Sequence, residues 1–264
     1  MNYSTIGRHV AAALSMATAM LALTPVARAD DPPPPPEHTW LGKGQGGLLV
    51  SSGNSVSESL NAKLDLARID GNWKNVVYVG GLYGKSSGIL NGERLEGRYE
   101  LDRKISDDLY GFGALAATKD LFSGFNYQAN AAAGLGIKII NSAATKLDAQ
   151  LGIGYQRLQT QQLDKNAVGE VIGRINGPVE GGVIGTAGLN FEHSFTASTK
   201  LLDKLLVTAG SLNTLVANDL ALQVNMSDRL ALSIGYGIRD NSKPAAGVKK
   251  LDQVETINIV YSIK

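Results

Sequence analysis

From Phe125 to Ile139 the odd positions read Phe, Tyr, Ala, Ala, Ala, Leu, Ile, Ile. The even positions between them read Asn126, Gln128, Asn130, Ala132, Gly134, Gly136 and Lys138. Successive side chains of a strand point to opposite faces, so the segment has one apolar face and one small, polar face. The same alternation recurs at Val56–Leu66, Arg94–Leu101, Lys146–Tyr155, Arg229–Ile238 and Ile257–Ile263. Ala187–Phe195 and Leu201–Ala209 read less cleanly, because Leu201, Leu202, Leu205 and Leu206 fit a helical spacing nearly as well. Leu201–Ala209 is taken as a strand because an odd strand count would bring the C-terminus to the wrong side. The pattern predicts an all-β fold, an antiparallel transmembrane barrel of about twelve strands.

The connections carry an independent signal. Short turns are expected at Asp70–Asn72, Ser106–Asp108, Asn141–Ala144, Ala197–Thr199 and Ser227–Asp228. The alternate connections are Ser52–Ser55, Ser86–Gly92, Lys119–Gly124, Thr160–Gly182, Ser211–Thr214 and Asp240–Lys250, and four of these six are clearly longer. That asymmetry fits a barrel with both termini in the periplasm and its long loops outside. Aromatic residues are expected in two girdles: Trp73, Tyr110, Phe112, Phe195 and Tyr261 at the inner end, and Tyr83, Phe125, Tyr127 and Tyr155 at the outer.

Residues 1–29 read as a cleavable signal peptide. Arg8 and His9 supply a basic start, Val10–Leu23 an apolar core, and Ala27-Arg28-Ala29 a small-x-small cleavage site. Residues 30–39, with Pro32–Pro36, read as an extended periplasmic leader, and residues 40–264 as the barrel. Cleavage removes Arg8 and Arg28 and no acid, so the 25 Lys and Arg of the chain become 23 against 24 acids. A near-neutral chain has no basic field for nucleic acid. No cysteine is present, which excludes thiolate chemistry and a lipid-modified N-terminal cysteine. A mean hydropathy of −0.03 is what an apolar outer face and a polar lumen give together.

The even positions of one strand read Arg94, Glu96, Arg98, Glu100, and a neighbouring strand adds Lys63 and Asp65. Charges within a membrane band must face water or one another. These six residues are therefore the candidate lumen constriction, either a mixed-sign pore lining or a ladder of ion pairs that fills the lumen. Twelve strands lie between filled eight-stranded barrels and open sixteen-stranded porins, so strand number leaves both open. Gly-x-Gly recurs at Gly111/Gly113, Gly134/Gly136, Gly152/Gly154 and Gly235/Gly237, all expected on the lumen face. No helix follows any of them, so they read as structural glycines that leave room for inward side chains, and not as a dinucleotide fingerprint. The mature chain has only His38 and His193 as histidines. Neither completes a Ser-His arrangement locally, so no catalytic, metal or cofactor site is expected.

Several of these segments together resemble a known family. Gly47–Ser55 looks like its opening strand and Gly-Asn-Ser turn. Arg98-Tyr99-Glu100, Lys119–Phe122, Gly134–Ile137, Gly152–Tyr155 and Lys250–Asp252 follow in order. The chain resembles the YdiY-like salt-induced outer-membrane proteins, domain of unknown function 481, over about residues 40–263. The resemblance implies an outer-membrane barrel and no established substrate or catalytic residue. One departure is the end of the chain, Tyr261-Ser262-Ile263-Lys264, which lacks the terminal aromatic that barrel-assembly machinery usually recognises. The expected surroundings are the bilayer with its lipopolysaccharide and, during insertion, that machinery. The expected role is a narrow passive channel for small solutes or an osmotic-response envelope component. The alternative is a structural or adhesion barrel acting through its outer loops.

Overall fold

The computed structural model describes residues 38–51, 57–168, 170–244 and 249–263. The expected signal peptide and nearly all of the leader lie outside the described residues, as does the whole Ser52–Ser55 connection. Twelve strands follow one another: β1 (His38–Ser51), β2 (Ser57–Asp70), β3 (Trp73–Ser86), β4 (Ile89–Lys104), β5 (Leu109–Asp120), β6 (Phe125–Asn141), β7 (Thr145–Lys165), β8 (Val171–Ser194), β9 (Thr199–Gly210), β10 (Thr214–Asn225), β11 (Leu230–Asn241) and β12 (Leu251–Ile263). Each pairs antiparallel with its sequence neighbours, and β1 closes on β12 with Gly44 opposite Tyr261. Closure leaves the body of the sheet without an open edge, the condition for crossing lipid with strands. Among the described residues no helix is long and apolar enough to cross a membrane.

The alternation read from the sequence is the alternation of the wall. Leu95, Leu115, Leu135, Leu151, Ile153, Ile234 and Ile257 all point outward and are 55–70% exposed. A water-soluble protein does not display so large a continuous apolar surface, whereas a wall in contact with acyl chains requires one. The opposite parity is polar and largely buried in the lumen, with Asn61, Glu100, Gln150, Gln156, Ser233 and Asn258 each below 9% exposure. The ambiguous leucine segment is strand β9, whose Leu206 pairs with Ala217 and Gly188.

All five predicted short turns lie at the rim that carries the described termini, and the strands meet there through two to four residues. At the other rim the β3–β4 connection is tighter than expected, a two-residue turn at Ser87-Gly88 with φ of 51° and 77°. Positive φ at both positions matches the right-handed twist of the flanking strands. Thr160–Gly182 is a β-hairpin and not an irregular loop. Pairing of β6 ends at Thr160 and pairing of β9 at Ile184. Beyond them β7 and β8 pair only with each other, as a ribbon standing above the rim.

The girdles are partly as expected. At the termini rim Trp40, Trp73, Phe195 and Tyr261 are exposed. Arg68 sits 5.7 Å from the Trp40 ring, Arg103 sits 5.4 Å from the Trp73 ring, and the Arg229 guanidinium donates to the Tyr261 hydroxyl at 3.4 Å. Such pairs suit the headgroup level, where an apolar ring and a charged tip both find partners. Tyr83 and Tyr155 are exposed toward the other rim. Three aromatic expectations fail. Tyr110 and Phe112 face the lumen, in register with Gly136 and Gly134. Phe125 is 2% exposed because an extra residue, Asn126, turns it to the side of Asp120.

Candidate lumen constriction

The glycines explain where Tyr110 and Phe112 go. A Cβ on Gly136 would lie 2.5 Å from Tyr110 Cε2, and one on Gly152 would lie 2.9 Å from Phe112 Cζ. The two rings fill the space that these glycines leave free. Gly111 and Gly113 are the exception to the expected parity, for they pair with Leu135 and Ala133 and so belong to the outer face. Tyr110 and Phe112, on the intervening parity of β5, therefore point inward.

Arg94, Glu96, Arg98 and Glu100 all face the lumen, and Lys63 and Asp65 join them from β2 across β3. The charged strand is stitched to its surroundings. Arg94 Nε donates to Asp120 at 2.8 Å, with both side chains mostly buried. Arg98 donates to Glu100, and Gln150 donates to the other Glu100 oxygen at 3.1 Å. Tyr78 donates its hydroxyl to Glu96, and Gly80 leaves the space in which that pair sits. Lys74 reaches Asp102 at 3.5 Å. On the far wall Lys200 pairs with Glu192 at 3.3 Å and Arg239 with Asp219 at 2.8 Å. An ion pair inside a lumen offsets most of the desolvation of each member, and removing one member exposes that cost.

The two walls meet. Asp65 on β2 lies within electrostatic reach of Lys204 on β9, Lys43 on β1, Lys63 and Arg98. Lys204 is reached in turn by Arg98, Glu100 and Asp219. Lys43 lies close to Lys200 and Glu192. β2 and β9 stand nearly opposite in the ring of twelve, so at this level charges on facing walls lie within electrostatic reach of one another. Sequence reading found Lys63, Asp65 and Arg98 but missed Lys43, Lys204 and Asp219. Their strands carry isolated charges, and only closure of the ring brings them to one level.

The level is not dry. Lys204 is closely surrounded by lumen groups, yet part of its side chain keeps accessible surface inside the lumen. Near it, beyond its register partner Asp219, a cavity of about 90 Å³ is bordered by Lys63, Arg94, Glu96, Asp219, Arg239 and Asn258, among others. Such a volume holds a few waters at ~30 Å³ each. Buried oxygens of Asn61 and Asn258 have no protein partner and border the same cavity. Acceptors of this kind are completed by water. The histidine outside this region is accounted for: His193 is held by Thr145 at 2.9 Å and stands beside Phe191 and Phe195 near the termini rim. Among the described residues no three His, Asp or Glu side chains gather as metal ligands would.

The chain is similar in overall shape to several solved barrels. One is the COG4313 outer membrane channel from Pseudomonas putida F1, at 10% identity, TM-score 0.48, covering 90% of this chain and 100% of that one. Another is the NanC porin, at 12% identity, TM-score 0.46, covering 85% and 99%. A third is the translocator domain of the autotransporter NalP from Neisseria meningitidis, at 11% identity, TM-score 0.42, covering 97% and 98%. No curated protein matches. A family model described as protein of unknown function, DUF481, matches residues 45–263, and the chain belongs to that family.

Proposed function

We propose that the protein is an outer-membrane barrel that acts as a narrow passive channel for small solutes. Residues 1–29 direct export, the termini face the periplasm, and the assembly machinery inserts the chain. The observation that carries the channel reading is the accessible Lys204 at a level where charges from opposite walls meet. A lumen sealed by ion pairs alone would leave no water-accessible charge at this level. The short turns at the termini rim support the orientation. Single-channel recording on the full chain refolded into planar bilayers tests the proposal. Small, discrete conductance steps are expected, and their absence from protein with a folded-barrel signature overturns it.

The β7–β8 ribbon favours a second reading, an adhesive or structural role outside the cell. Val168, Ile172 and Ile175 on it are each more than 60% exposed, well above the rim. Deleting residues 161–175 separates the two. The adhesive reading expects cell-surface attachment to fall while conductance is unchanged, and intact attachment refutes it.

A further inference from the structure

Five ion pairs tie up ten of the charges inside the lumen: Lys74–Asp102, Arg94–Asp120, Arg98–Glu100, Lys200–Glu192 and Arg239–Asp219. Glu96 is held by the Tyr78 hydroxyl on the side of Arg94. What remains where the walls meet is Lys43, Lys63 and Lys204 against Asp65 alone. These three lysines come from β1, β2 and β9; Lys43 and Lys204 lie within electrostatic reach of charges on other strands, and Lys63 lies two residues from Asp65 on β2. Lys43 moreover stands close to a second ammonium, that of Lys200.

At this level Lys43 stands against Lys200 and Lys204 against Arg98, and the one acid without an ion pair, Asp65, offsets only one of the three lysines. A mobile anion between them removes the repulsion. Rings of Lys and Arg select anions in other pores by the same electrostatics. We infer that Lys43, Lys63 and Lys204 form an anion-selective site at mid-lumen, for small solutes bearing a carboxylate or phosphate group. The inference rests on the channel reading above and assigns the class of solute that reading leaves open. It also departs from the expectation drawn from β4 alone, in which the alternating charges of Arg94, Glu96, Arg98 and Glu100 cancel. They do cancel, largely by pairing, and selectivity then passes to the lysines without pairs.

Lysine is suited to this task because its ammonium is a compact charge on a long flexible stem. It can follow a passing anion, where a guanidinium already held in an ion pair cannot. The acids nearer the other rim, Glu96, Asp120 and Asp252, lie beside Arg94. They make that entrance mildly acidic, so the cationic level below it is what discriminates.

The test uses the full chain refolded in bilayers and in detergent. Under a potassium chloride gradient the reversal potential should take the sign of chloride preference. It should fall toward zero in Lys204→Gln and change sign in Lys43→Glu/Lys204→Glu, while Lys119→Gln on the outer face leaves it unchanged. A conducting barrel that prefers potassium, or whose preference ignores the lysine changes, overturns the site and leaves the channel standing. If the barrel does not conduct, the channel reading fails, and the site is judged by calorimetric titration with inorganic phosphate. Binding that disappears in Lys43→Gln/Lys63→Gln/Lys204→Gln then upholds the site. No binding, or binding unchanged in that variant, overturns it. Retained barrel circular dichroism in each variant separates these results from misfolding.

Discussion

Replacing Leu135 with Arg tests the inside and outside of the wall. Leu135 points outward and is 55% exposed. It lies six residues from Asn141, the end of β6 at the termini rim. Six residues at ~3.3 Å each, tilted by about 45°, rise roughly 14 Å, about half of an apolar band ~25 Å tall. The new guanidinium therefore sits near the midplane, where neither headgroup region is within easy reach. An Arg at that depth costs about 2–4 kcal/mol. A cost of ~3 kcal/mol lowers the folding equilibrium constant by roughly two orders of magnitude. The companion is Thr118→Arg, on the lumen face of β5 opposite Glu96 and two residues from Asp120. There a cation meets water and carboxylates, and the cost should stay within about 1 kcal/mol, as for lumen positions generally. Reversible guanidinium unfolding in phospholipid vesicles, followed by tryptophan emission, gives both values. Equal destabilisation by the two changes would refute the assignment of faces.

Three further outcomes follow from particular contacts. Gly136→Ala should destabilise by about 1–3 kcal/mol, because its methyl meets the Tyr110 ring. Gly185→Ala, with nothing within 4 Å, should be neutral in the same unfolding assay. Arg94→Ala leaves Asp120 buried without its partner, at a cost approaching ~3–5 kcal/mol, and adding Asp120→Asn should recover part of it. In the 105–108 turn, the Lys104 ammonium hydrogen-bonds Asp107 and holds its carboxyl below the usual aspartate range. A depressed folded value means the contact is present above the unfolded value of about 3.9 and is lost as pH falls through the lower one. Carboxyl-carbon NMR titration should show that low midpoint, and Lys104→Met should raise it.

Much of the barrel is legible in the sequence because lipid and water enforce strict alternation on the two faces. Strand β6 and its neighbours obey that rule along most of their length, and the five tight turns at the termini rim are marked by Asp, Asn, Ser and Gly. Reading fails where something other than the alternation decides. Phe125 is displaced by one extra residue at Asn126, which reverses its face without changing the composition of the segment. Tyr110 and Phe112 look like girdle residues until the glycines of β6 and β7 are placed beside them. The β7–β8 ribbon carries many glycines and looks like a loop, yet its backbone pairs almost throughout. The charged level of the lumen was half legible. Charges alternating on β4 are visible locally, whereas Lys43 and Lys204 acquire their meaning only from ring closure.

The chain has no cysteine, so single cysteines can carry a spin label at any chosen site. Labels along Ala129–Ala133 on β6, and one replacing Lys204, test the barrel and its water-filled lumen in one experiment. The refolded protein in lipid vesicles is measured by electron paramagnetic resonance with oxygen and with a water-soluble nickel complex as relaxing agents. Oxygen collisions should peak at 129, 131 and 133 and fall at 130 and 132, while the label at 204 should respond to the nickel complex. Loss of the two-residue period would contradict the membrane-facing wall, and a label at 204 that nickel cannot reach would contradict the open, narrow lumen.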